Sequence, residues 1–400
     1  PGAGGLQLRT DPYPGSRVYN GATLMRLAVV VLSSLLCACA GTGGNAPNEP
    51  ASQPDPDWPP PVGEVSLAET QGEPALWLDV GIVVFDPGIP EDPATHSREG
   101  VFPEIRKAEA RYQSVLLRDV LVASNEWGAV RVLPHDTGSS PLVITGRIVH
   151  SDGQDLVLAV EAHDATGRNW LSRTYRDRAG AADYPVAAEE DPFIDIYRAI
   201  ANDLVAVREG WDPLVLAEIP RVTELRYAAS LSPEAFADYL EQDELGFYSA
   251  RRLPAEDDPM MARVQRIQNQ EYLFIDTVDE QYVELYQAMA PVYNLWRQYG
   301  REQAIYKVEY QQRAANRESH GRRGTYAQME QTYSAFRSLK IQQQDLHELA
   351  IGFNTEVAPT VLEVGDTVFR LNGTLDTQYD EWRDILRKIF ALETGIPASP

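Results

Sequence analysis

The sequence predicts an α+β fold: a small mixed or antiparallel sheet with two helices in the order β-α-β-β-β-β-α, followed by a mainly helical domain. Three observations carry this reading. Apolar β-prone runs over 142–150, 156–164 and 169–175 are separated by Asp152-Gly153 and Ala165-Thr166-Gly167, sequences that join antiparallel strands. Segments 103–125 and 192–208 flank these runs and are apolar along one face only. Beyond Pro259 apolar residues recur at spacings of three, four and seven, the repeat of a long packed helix.

Taken in order, Leu76–Phe85 is apolar nearly throughout and reads as a strand buried on both faces. Pro103 to Asn125 reads as a helix burying Ile105, Tyr112, Val115, Leu116 and Val120, and Val130–Leu133 as a short strand. The three-strand meander follows, and a helix from Pro192 to Arg208 closes the unit through Ile196, Ile200 and Leu204. Two short helices are expected over Pro213–Ser230 and Pro233–Leu240. The long helix then carries Val264, Ile267, Phe274, Val278, Leu285, Met289, Val292, Trp296 and Tyr299 on one seam, with a kink or break near Ala290 imposed by Pro291. A polar reversal with Gly321 and Gly324 leads to a second stripe, from Tyr326 through Tyr333 and Leu346 to Phe353, so a long antiparallel helical hairpin is expected. Both stripes read as core of this chain, a partner helix or an apolar ligand between them being the alternative. Gly365-Asp366 between Thr360–Val364 and Thr367–Leu371 spells a small β-hairpin at 360–372. A final amphipathic helix, Tyr379 to Glu393, turns Trp382, Ile385, Leu386 and Ile389 to one side.

Composition narrows the function classes. With 44% hydrophobic and 24% charged residues the chain is that of a folded protein, and 400 residues leave room for two or three domains. A net charge of −24 without a basic cluster repels polyphosphate, so no nucleic-acid partner is expected. The two cysteines stand together, at 37 and 39, which excludes a disulfide scaffold and removes cysteine nucleophiles and cysteine metal sites from the rest of the chain.

Met25-Arg26 precedes an apolar run from Leu27 to Leu36, too short to span a bilayer and shaped like a secretory signal; residues 1–24 read as lying upstream of the start. The string Leu36-Cys37-Ala38-Cys39 at its end resembles the lipobox of bacterial lipoproteins. That resemblance implies cleavage after Ala38, lipidation of Cys39 and, with Ala40 following, placement on the periplasmic face of the outer membrane. Acyl chains at ~0.8 kcal/mol per buried CH₂ make such attachment effectively permanent. The expected division is therefore 1–38 (signal), 39–75 (lipidated cysteine and a tether centred on Pro59-Pro60-Pro61, packing of part of it on the body through Trp58 being the alternative), 76–210 (α+β domain) and 211–400 (helical domain).

The strand Leu142–Arg147, the turn Asp164-Ala165-Thr166-Gly167, the strand ending at Tyr175 and the closing helix resemble the periplasmic domain shared by TolB N-terminal, CsgG-type and LpoB-type proteins and by ABC-transport auxiliary lipoproteins. This topology-level likeness spans about a third of the chain. It implies a non-enzymatic assembly or scaffolding part, attached to the membrane by its lipid and working with an envelope protein partner; oligomeric state does not follow from it. The run Val368–Thr374 faintly resembles BON-type envelope modules.

Candidate chemistry is sparse. Asp136-Thr137-Gly138-Ser139-Ser140 resembles the active-site loop of aspartic proteases, in which two carboxylates share a proton, but the chain carries a single such string, led by Pro134-His135. A carboxylate-dependent hydrolase on peptide or cell-wall material is the alternative function, and a turn-rich surface loop is the plainer reading. None of the six histidines forms a pair at i, i+3 or i+4, although His150 and His163 are expected to face each other across a hairpin, beside Asp164, as a weak zinc site. The acidic loop with Asp86, Glu91 and Asp92, stiffened by Pro87, Pro90 and Pro93, is the candidate interaction loop. No phosphate loop or nucleophile elbow is present in the sequence, so no catalytic residue, metal or cofactor is assigned. Tyrosines 272, 282, 286, 293, 299, 306 and 310 read as a broad half-wet helix face, or else a protein interface.

Overall fold

Two kinds of chain connection set the sheet. β1 (Val80–Val83) leads through α1 (Pro93–Glu99) and α2 (Pro103–Ser124) to β2 (Val130–Leu133), and this helical crossover makes the pair parallel. β3 (Leu142–Ser151), β4 (Asp155–Asp164) and β5 (Asn169–Arg178) are joined by tight turns and run antiparallel. Strand order is β2-β1-β3-β4-β5, with β1 parallel to β3 as well, so the sheet is mixed and the fold is α+β. The computed structural model describes residues 58–68, 76–99, 101–186, 191–317 and 360–396 apart from 365 and 366, with isolated positions between 337 and 348. The predicted hairpin helix over 326–353, apart from those positions, and Cys39 lie outside the described residues.

α2 and α3 (Ile194–Glu209) share one core with the sheet, where Leu117, Leu121, Ile196, Ile200 and Leu204 meet Ile82, Ile144, Leu158 and Val160. α2 begins at Pro103 and ends at Asn125, whose left-handed backbone (φ 53°) turns its N–H onto the carbonyl of Val122. β1 is shorter than the predicted Leu76–Phe85, because the neighbouring strands offer a ladder only over four residues. Leu78 and Phe85 beyond its ends are nonetheless buried.

α4 (Pro213–Leu231) starts on Asp212, whose carboxylate accepts the N–H of Leu214 at 2.8 Å. α5 (Pro233–Phe236) is cut short. It tightens into a 3-10 turn over Ala237–Tyr239, so the helical segment ends one residue before the expected Leu240, and the chain then enters a hairpin of β6 (Leu240–Gln242) and β7 (Tyr248–Ala250). Asp243 builds its turn by accepting the N–H groups of Leu245 and Phe247 at 2.9 and 2.8 Å.

α6 (Pro259–Arg317) is the spine of the body: 59 residues, about 90 Å. Its first half supplies Val264, Ile267, Phe274 and Val278 to a second core, shared with Tyr379, Trp382, Leu386 and Phe390 of α7 (Leu375–Thr394). Its second half supplies Leu285, Met289, Tyr293 and Trp296 to the core of the sheet. Of the kink or break expected near Ala290, the break is absent: the helix runs on through Pro291. Pro291 faces solvent, so the carbonyl that loses its partner can be hydrated, while fully buried Met289 and Tyr293 hold the helix on either side. β8 (Thr360–Val364) and β9 (Thr367–Leu371) pair as the Gly-Asp turn predicts.

Candidate functional site

Residues 58–68 belong by composition to the predicted tether, yet they form a strap without regular structure, bent at Glu64 after Gly63 (φ +70°), that is laid on β5 and α3. Val62 N–H donates to the carbonyl of Arg176 at 2.8 Å, and the ring of Trp58 lies 4.5 Å from that of His150 and 5.3 Å from the Arg176 guanidinium.

The acidic loop is built from the inside. Asp86 extends β1 by a bridge to Arg147: its N–H donates to the carbonyl of Gly146 at 2.8 Å, and its carbonyl accepts the N–H of Ile148 at 2.9 Å. Its carboxylate accepts the N–H of Gly88 at 2.8 Å and lies 3.5 Å from Arg147. Gly88 has φ +60°, and a Cβ there would stand 1.9 Å from the carbonyl oxygen of Ile148, so the turn requires glycine. Asp92 caps α1 by accepting the N–H of Ala94 at 2.9 Å, and His96 Nε2 meets the carbonyl of Pro90 at 2.8 Å. Glu91 is left exposed at the tip. Asp86 and Asp92 thus shape the loop, and all three acidic side chains, Glu91 included, are exposed on it.

The Asp136 loop is clasped between α6 and α7. Asp136 accepts the N–H of Gly138 at 2.8 Å and faces His163 Nε2 at 3.4 Å. Burial pushes its pKa up, but the bonds from His163 and Gly138 outweigh burial and hold it below the usual carboxylate value. Its partners are an imidazole and a backbone amide, where a proton-sharing dyad would need a second carboxyl. Thr137 Oγ1 lies 3.0 Å from the hydroxyl of Tyr379, which donates to Glu271 at 2.8 Å. Arg383 donates to the carbonyl of Thr137 at 3.3 Å, Tyr272 to that of Ser139 at 3.1 Å, and His135 meets Asp380 at 3.1 Å. The contacts of Thr137, Ser139 and His135 fasten the loop to α6 and α7, those of Asp136 hold it to β4 and to its own turn, and none pairs a nucleophile with a base.

The weak zinc site of His150, His163 and Asp164, to which ordinary strand residues are the plainer alternative, is not formed. His163 lies opposite Val143 and His150 opposite Val157, which puts the two histidines at opposite ends of the β3–β4 ladder. The register is fixed by which face of each strand is buried, and a bulge after Ile148 shifts it further. Asp164 is buried, and accepts the N–H of Thr166 at 2.8 Å and the indole N–H of Trp170 at 2.9 Å. Among the described residues no group of three or more His, Cys, Asp or Glu side chains could hold a metal ion.

Sequence reasoning missed a buried polar seam between α2, α6, the end of β3 and the segment before α3. Glu109 accepts from Tyr293 at 2.8 Å and Ser151 at 2.9 Å, and pairs with Arg106 at 3.0 Å. Gln113 donates to Tyr293 at 3.2 Å and accepts from Tyr197. Arg297, fully buried, is forked onto Asp191 at 2.7 and 3.2 Å and lies 4.5 Å from the centre of the Tyr293 ring. Desolvation works against its charge, but the Asp191 carboxylate raises its pKa well above the usual value. The signal was the tyrosine-rich helix itself: Tyr282 and Tyr293 are core residues, Tyr272, Tyr286 and Tyr299 are half-buried, and the side chains of Tyr306 and Tyr310 lie outside the described set.

No family model matches the chain, and no curated protein matches it. Among solved structures it is similar to a dodecamer of a PelC point variant from Paraburkholderia phytofirmans, with 16% identity over 36% of this chain and 94% of that one, at a TM-score of 0.18.

Proposed function

We propose that this chain is a non-enzymatic lipoprotein of the bacterial outer membrane, held on the periplasmic face by lipid on Cys39, and that its folded body is an interaction or scaffolding part for an envelope protein. The Leu36-Cys37-Ala38-Cys39 junction behind an apolar signal carries the reading. The use made of the carboxylates supports it. Asp86, Asp92, Asp136 and Asp164 accept bonds from backbone N–H groups that shape their own turns, which engages them in geometry and not in proton transfer. A rigid loop with Glu91 at its tip is a surface of the kind that recognition uses.

The experiment is affinity capture of the full chain from detergent-solubilised envelopes, together with a photo-crosslinking residue placed at Glu91 in cells. Expected are one stoichiometric envelope protein in the eluate and a discrete adduct to that same protein. A chain that elutes alone, and that hydrolyses peptide or cell-wall material in a manner abolished by Asp136→Asn, would overturn the proposal in favour of the hydrolase.

A further inference from the structure

We infer that the strap Trp58–Ala68 is a detachable latch: it occupies a backbone-gripping groove on β5 and α3, and its release lengthens the reach of the anchored body. The consequence at the membrane rests on the lipid-anchor reading above; the latch itself rests on the geometry of the body.

The groove grips backbone. Val65 N–H donates to Asp195 at 3.2 Å, and Arg198 donates to the carbonyl of Val65 at 3.4 Å. The amide of Asn202 closes on both sides of Leu67, accepting the N–H of Ala68 at 2.8 Å and donating to the carbonyl of Ser66 at 2.9 Å. Positions 195, 198 and 202 form one stripe of α3, so the helix presents an acceptor, a donor and a bidentate amide in line with the backbone of the strap. On the sheet side, the Val62 bond to Arg176 is joined by the Trp58 ring seated between His150 and the Arg176 guanidinium. Three side chains of the strap add to these backbone bonds: Trp58 in its seat, and Val62 and Leu67, which pack half-buried against the core of the sheet.

The same geometry makes the latch weak enough to open. Among the described residues, five hydrogen bonds, one aromatic seat and two half-buried side chains, Val62 and Leu67, stand against the ordering of eleven residues, and the Asn202 bonds lie at the solvent-exposed rim. Contacts of this density belong to the low-stability end of a fold, which opens locally long before the core does. Pro59-Pro60-Pro61 pre-extends the segment and so favours the docked state at rest. With the strap docked, the leash from Cys39 to Asp57 is nineteen residues, at most about 65 Å. With it released, the count from Cys39 to Ala75 is thirty-seven residues, whose contour limit is about 125 Å. The latch therefore sets how far from the membrane the interaction surface can work.

Amide hydrogen exchange on the full chain, kept soluble by Cys39→Ser, tests the latch. Peptides covering 58–68 should exchange at least tenfold faster in Asp195→Ala/Asn202→Ala than in the unaltered strap, and tenfold faster in Trp58→Ala, with β3 and β4 peptides unchanged as the folding control. In the unaltered strap they should still exchange at least a hundredfold faster than β3 and β4. Exchange at the core rate would make the strap an integral element, exchange at the free-chain rate would make it undocked, and either result overturns the latch, as does indifference to all three substitutions. On vesicles, energy transfer from a dye on the acylated body to headgroup acceptors should fall at least twofold in the double variant. Failure of the acylated wild type to bind vesicles, with strap protection intact, would overturn the reach and the anchor reading while leaving the latch standing.

Discussion

Replacing Asp177 by Asn should stabilise the protein at neutral pH and do little in acid. Asp177 closes β5 with 6% of its surface exposed, and its carboxylate accepts only the N–H of Arg178, at 2.8 Å, among the bonds described. Burial pushes its pKa from 3.8 up to about 6, and the nearby charges of Asp195, Asp183 and Asp191 add to the rise. The folded state therefore binds the proton more tightly than the unfolded one. The resulting stabilisation relative to the ionised form is present below about pH 4 and is lost as pH rises through about 6. Two units at ~1.36 kcal/mol each set a ceiling of about 3 kcal/mol, which partial solvation reduces to about 1–2. Asparagine keeps an oxygen for the Arg178 N–H and removes the charge. Urea unfolding of both proteins at pH 4 and pH 7.5, compared at each pH so that all shared titrations cancel, should give Asp177→Asn an advantage of about 1–2 kcal/mol at pH 7.5 that shrinks toward zero at pH 4. An advantage equal at both pH values, or a loss at pH 7.5, would refute the reasoning.

Gly153→Ala places a Cβ 2.0 Å from the carbonyl oxygen of Arg297 at φ +83°; a loss of about 2–4 kcal/mol in urea unfolding is expected, with a smaller one for Gly300→Ala, where the nearest atom, the Asp152 carbonyl oxygen, is 2.7 Å away. Asp191→Asn leaves the fully buried Arg297 guanidinium without its counter-charge, and calorimetry should register a loss of about 3–5 kcal/mol that Arg297→Met/Asp191→Asn partly restores. Trp382→Ala empties the second core and should lower stability by about 3–5 kcal/mol, whereas unchanged stability with loss of a co-purifying partner would place that side chain on a binding surface.

Elements whose neighbours in sequence are also their neighbours in space were legible in advance. The meander of β3 to β5 follows from two turn sequences, and α6 from a seam whose members Val264 to Trp296 are buried at all positions except the half-buried Val292. β6 and β7 were not legible, because three-residue strands leave no alternation to detect. The strap was legible only as the alternative to a tether, for another reason: Pro-rich composition argues against regular structure but is silent on docking through backbone bonds. In the candidate site, Asp136-Thr137-Gly138 could be read as a turn, but its fastening to Tyr379 and Arg383 spans more than 240 residues and depends on how α6 and α7 cross. The separation of His150 from His163 depends on sheet register, which their spacing in the sequence does not reveal.

The central claim is that this body hangs from a lipid on Cys39. Metabolic labelling with a palmitate analogue, followed by fractionation of the envelope, measures it directly. Cys37→Ser should keep both label and membrane association, while Cys39→Ser should lose the label and move to the soluble periplasmic fraction. Undiminished labelling of the Cys39→Ser protein would contradict the claim.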